Sequence, residues 1–76
     1  MPHIDLKFYP RGLSEEATQK LVDDLSAVLI NHLGTTDKAI SVMLTEVQPD
    51  AWKSDVYDPV IKPALEQMAK KPGYNL

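Results

Sequence analysis

Pro2 follows Met1 directly and opens a run of alternating character, His3-Ile4-Asp5-Leu6-Lys7-Phe8. Met1 removal is usual when the second residue is small, and here it would leave a secondary amine at the head of a strand. An α-amino group titrates near pH 8. An apolar setting disfavours the ammonium form and lowers that value. The product is a general base that requires no Asp, Glu or His side chain. Taken alone, a Pro after Met more often merely starts a strand or limits processing.

The rest of the usual catalytic toolkit is thin. The chain has no Cys, which removes disulfides, thiolate metal sites and Cys nucleophiles together. His3 and His32 stand too far apart in sequence for metal-ligand spacing. There is no Gly-rich phosphate loop, no Gly-x-Ser-x-Gly and no His-Glu-x-x-His. Asp23-Asp24 reads as a solvated helix face, and His32 as a cation placed where a helix C-terminus favours it. Asp5 and Glu46 are strand residues with no chemistry assigned.

Charge narrows the partners. A formal net charge of −3 leaves no electrostatic footprint for nucleic acid. Lys70-Lys71, the one basic run, is too short to track phosphates or to tether the chain to an acidic membrane. No apolar stretch approaches the roughly 20 residues of a membrane span. Met1 to Pro10 carries charges and two prolines, which argues against a secretory signal and for the cytoplasm.

The elements that position Pro2 follow from periodicity. Residues 3–9 alternate as a strand, and Pro10-Arg11-Gly12 punctuates it as a turn. Ser14 is a good N-cap, with Glu15 and Glu16 suited to the positive end of a helix dipole. Ala17, Leu21, Leu25, Val28, Leu29 and Leu33 then recur at helical spacing, and Gly34 is a natural stop. A polar loop over 35–38 leads to a second strand over 39–47. This order predicts an α/β chain of right-handed βαβ type with two parallel strands. Pro49 starts a tight turn ending near Trp52. After Asp55 a second amphipathic helix is predicted, with Val56, Val60, Ile61, Ala64, Leu65 and Met68 inward. Pro59 serves as its first residue and Pro63 lies in its first turn or at a kink. Met43 and Met68 read as core filler.

The 76 residues allow one domain, 1–76, and a marginal core. Open sheet edges and a small core both point to a partner subunit.

Pro2 opening a strand, the turn at Arg11, the Ser14-Glu15-Glu16 helix start and the Val42-Met43-Leu44-Thr45-Glu46 run resemble the 4-oxalocrotonate tautomerase family. Pro2-His3-Ile4-Asp5, Gln48-Pro49-Asp50-Ala51-Trp52 and Lys70-Lys71-Pro72-Gly73-Tyr74 resemble its dimeric branch acting on phenylpyruvate enol. The resemblance spans essentially the whole chain. It implies keto–enol isomerisation of a 2-oxo acid without metal or organic cofactor, in a homodimer, with a hexamer as runner-up. It implies Pro2 as the catalytic amine.

The same resemblance implies that Trp52 replaces a Phe that keeps the pocket apolar, although a small protein also uses a Trp as core. Ser41 stands where these enzymes carry a carboxylate-binding Arg, and a neutral hydroxyl makes no bidentate clamp. A dicarboxylate is therefore expected to be a poor substrate. Arg11 is either a carboxylate ligand or a solvated turn residue, because the turn is one residue longer here. Tyr9 ends the first strand while Ile40 and Ser41 open the second, so backbone groups near Ile40 are candidates to bind a carbonyl oxygen. His3 alternates to the strand face opposite Pro2. Two rival readings stay open: dehalogenation or decarboxylation with protonated Pro2 as acid, and a catalytically lapsed dimer.

Overall fold

The computed structural model describes residues 1–76. In chain order it contains β1 (His3–Phe8), α1 (Glu15–Leu33), a 3-10 turn (Asp37–Ala39), β2 (Ser41–Glu46) and a 3-10 turn (Pro49–Ala51). A π-helix (Lys53–Ile61) and a 3-10 helix (Lys62–Gln67) follow. The chain divides into two compact units, Met1–Glu46 and Val47–Leu76.

In the first unit, β1 and β2 pair in parallel, with His3 opposite Ser41 and the register running to Phe8 opposite Glu46. This is the βαβ architecture that the alternation predicts. Ile4, Leu6, Phe8, Val42 and Leu44 are half-buried, whereas His3, Asp5, Ser41 and Met43 are exposed. Met43 is thus no core filler: it is 56% exposed on the outer face of the sheet. Both strands are shorter than their sequence pattern. Tyr9 falls outside β1 just before Pro10, which has no N–H to donate to a ladder. Ala39 belongs to a turn closed by bonds from its own N–H to the Thr36 carbonyl and from the Ile40 N–H to the Asp37 carbonyl, each 3.1 Å.

Helix α1 begins and ends where the sequence predicts. The Ser14 hydroxyl accepts the Ala17 N–H at 3.0 Å, satisfying one of the donors orphaned at a helix start. Gly34 terminates it with φ +66°, a left-handed conformation that glycine adopts without a Cβ penalty. The inward stripe is rotated from the expected one. Thr18, Leu21, Val22, Leu25 and Leu29 are half-buried and Ser26 is buried, while Ala17, Val28 and Leu33 face solvent. Ser26 tolerates that position because its hydroxyl donates to the Val22 carbonyl at 2.8 Å.

In the second unit, helical backbone runs unbroken from Pro49 through Gln67, so Pro59 lies inside a helix rather than starting one. A proline ring clashes with the carbonyl four residues back and offers no N–H. Widening to the i→i+5 pattern accommodates it, and the Lys62 N–H bonds the Tyr57 carbonyl in that register. Val56 and Tyr57 are buried, and Ile61, Ala64, Leu65 and Met68 are half-buried. Val60, expected inside, is exposed because the wider π turn moves it off the inward face. Tyr57 is buried on the face that helical spacing from Ile61, Ala64 and Met68 already marks, an inward residue missing from the expected stripe.

Candidate functional site

Pro2 lies one residue ahead of β1, half-buried, while Met1 before it is fully exposed. The Pro2 carbonyl accepts the Ser41 N–H at 3.2 Å, the first rung between the segments. On the parity of β1, the Pro2 ring belongs with the half-buried set Ile4, Leu6 and Phe8. The parallel pairing therefore brings Pro2, Ile40 and Ser41 together at the strands' N-terminal end.

Both nearby amides are committed within the chain: that of Ile40 to Asp37 and that of Ser41 to Pro2. Ile40 presents a half-buried apolar side chain. The Ser41 hydroxyl shares a 2.6 Å hydrogen bond with Nδ1 of His3, on the sheet face away from Ile4 and Leu6. Nothing local in the sequence marks this pair, since 38 residues separate its members. Aligning the sequence-predicted strands by their starts would pair His3 with Ala39, so the register had to come from the structure.

Tyr9 and Arg11 follow the other end of β1. Seven residues of extended chain put Tyr9 about 23 Å from Pro2. Arg11 is exposed, beside Gly12 with its φ of +63°, and joins none of the chain's ion pairs. At this same end Phe8, Leu13, Thr18, Leu44 and Glu46 line an open cavity of about 220 Å³. One chain thus holds Pro2 at one end of the sheet and this cavity and Arg11 at the other.

Trp52, in the second unit, is half-buried and donates its indole N–H to Tyr74 Oη at 2.9 Å. Tyr74 in turn lies with its ring 5.8 Å from that of Tyr57. No cluster of three or more His, Asp or Glu side chains suited to a metal ion forms, and no helix is long and apolar enough to cross a membrane.

The Tautomerase enzyme family matches residues 2–56, starting at Pro2 and taking in both strands and Trp52. The chain belongs to the tautomerase family. Tautomerase PptA of Pectobacterium carotovorum is 56% identical over 99% of each chain. Tautomerase PptA of Cronobacter sakazakii is 50% identical and that of an Escherichia coli strain 42%, each over the full length of both chains. Among solved structures, DmpI from Helicobacter pylori superposes with a TM-score of 0.58 at 28% identity, covering 62% of this chain and 78% of that one. This tautomerase-family enzyme therefore shares its small βαβ architecture with a solved relative and its whole length with curated ones.

Proposed function

We propose that the protein catalyses keto–enol isomerisation of a 2-oxo acid, with Pro2 as the general base once Met1 is removed. The observation that carries this reading is Pro2 at the head of β1, half-buried and held through its carbonyl by Ser41, in a chain of the tautomerase family. The neutral amine takes the enol hydroxyl proton as the C=O bond forms. The electron pair of the C=C bond then takes a proton from the resulting ammonium at the adjacent carbon. The amine returns to its starting state, so the protein's own groups close the proton balance.

The substrate is a monocarboxylic, aryl-bearing 2-oxo acid of the phenylpyruvate type. Two features support this. Ser41 offers no charge to clamp a second carboxylate, and its hydroxyl is bonded to His3 on the face away from the Pro2 ring. The relatives' shared name, Tautomerase PptA, accompanies identities of 42–56% along the whole chain. Ile40 supplies an apolar wall that favours the neutral amine, and Tyr9 and Arg11 bind the substrate.

The working unit is a homodimer in the cytoplasm. A two-stranded sheet has both outer edges unpaired. The first unit buries no apolar side chain fully, Ser26 being its one buried residue. A two-fold axis across the strands reverses their direction. It brings the Pro2 end of one chain against the cavity, Tyr9 and Arg11 of the other.

Ultraviolet assays with the enols of phenylpyruvate and p-hydroxyphenylpyruvate and with a dicarboxylic 2-hydroxydienoate test the substrate class. The monocarboxylates are expected to give kcat/KM at least about tenfold higher. Preference for the dicarboxylate would overturn this assignment.

A further inference from the structure

We propose that the His3–Ser41 side-chain pair is a positioning device that orients the Pro2 nitrogen from behind the sheet. The inference rests on the reading of Pro2 as the reacting group and adds two residues that do not touch substrate.

Once Met1 is gone, Pro2 is a chain terminus, and termini fray unless tied down. Its backbone tie to β2 is the bond from the Ser41 N–H, at 3.2 Å near the long end of the N–H···O range. That bond sets the rotation of the Pro2 carbonyl and hence the direction in which the ring nitrogen points. A second tie between the same strands sits at the next residue. His3 and Ser41 are directly opposite in the register, and their side chains meet at 2.6 Å. Ser41 thus grips both ends of the Pro2–His3 peptide, the carbonyl through its N–H and the following side chain through its hydroxyl. The pair lies on the opposite face from the Pro2 ring and leaves the approach to the nitrogen open.

The neighbours reinforce the pairing. Asp5, the next residue on that face, is held by Lys7 at 2.8 Å. From β2 the face receives Met43 and Thr45, neither of them titratable. His3 is therefore drawn to Ser41 and to no competing carboxylate.

The test uses full-length protein, labelled with 15N-proline and shown by intact mass to lack Met1. Only Pro2 among the prolines carries a titrating nitrogen, so an NMR titration reads its pKa without any substrate. In His3→Ala and in Ser41→Ala the loosened amine gains water, and its pKa is expected to rise by about 0.5 unit or more. The double variant is expected to rise no further than either single one, and Ser41→Thr, which keeps the hydroxyl, to titrate as wild type. In parallel, kcat for phenylpyruvate enol is expected to fall about tenfold in the alanine variants, with KM within about twofold.

An amine unmoved in either alanine variant, shifts that add, or Ser41→Thr titrating like Ser41→Ala would overturn the proposal. Absence of turnover in the wild type would instead sink the tautomerisation of that substrate. The titration still decides the role of the pair.

Discussion

The Trp52 indole N–H donates to the Tyr74 hydroxyl at 2.9 Å, tying the last turn of the chain to the residue just ahead of the π-helix. Tyr74 also leans on Tyr57, one of the two buried apolar residues of the second unit. The Lys71-Pro72-Gly73-Tyr74 segment is thus a strap as well as a helix stop. Tyr74→Phe keeps the ring contact and loses the hydrogen bond, and is expected to cost about 1 kcal/mol. Tyr74→Ala loses both and is expected to cost about 2 kcal/mol or more. Urea unfolding followed by Trp fluorescence at fixed protein concentration measures both, and equal effects of the two variants would refute the split.

The caps of α1 make an independent prediction about the first unit. Ser14→Ala removes the acceptor of the Ala17 N–H and is expected to destabilise by about 1 kcal/mol. Gly34→Ala meets no atom within 4 Å, so its cost, again about 1 kcal/mol, comes from placing a Cβ at φ +66°. The two sites share no partner, and the double variant should show the sum. Thermal melts of the three variants check this.

These caps were legible because capping chemistry is local: a side-chain oxygen three residues before its donor, and a glycine where φ turns positive. The two strands and their parallel order were legible for the same reason, through two-residue alternation and the long helix between them. The second helix was not. Pro59 read as a start and Pro63 as a first-turn residue or a kink, but backbone widening absorbed Pro59 and left Val60 exposed. Among the candidate site residues, Pro2 stands out by its position in the sequence alone. The His3–Ser41 bond depends on register between strands 38 residues apart, and the separation of Pro2 from Arg11 depends on strand direction.

That separation predicts complementation between inactive chains. If Pro2 of one subunit works with Arg11 of the other, Pro2→Ala and Arg11→Ala chains restore each other when mixed. After unfolding together in equal amounts and refolding, half the dimers are mixed, and each mixed dimer carries one intact site. Activity should return to about one quarter of wild type. Activity no higher than the mean of the two separate variants would place both residues in the same subunit's site or remove Arg11 from it.

In the proposed reaction the amine exposed by Met1 removal carries the proton. The most direct measurement is the initial rate of phenylpyruvate-enol ketonisation for wild type and Pro2→Ala, with the N-terminus of each verified by intact mass. Pro2→Ala is expected to lower kcat/KM about 100-fold or more, and wild-type chains that retain Met1 to lose a comparable amount. Wild-type rates in either case would contradict it.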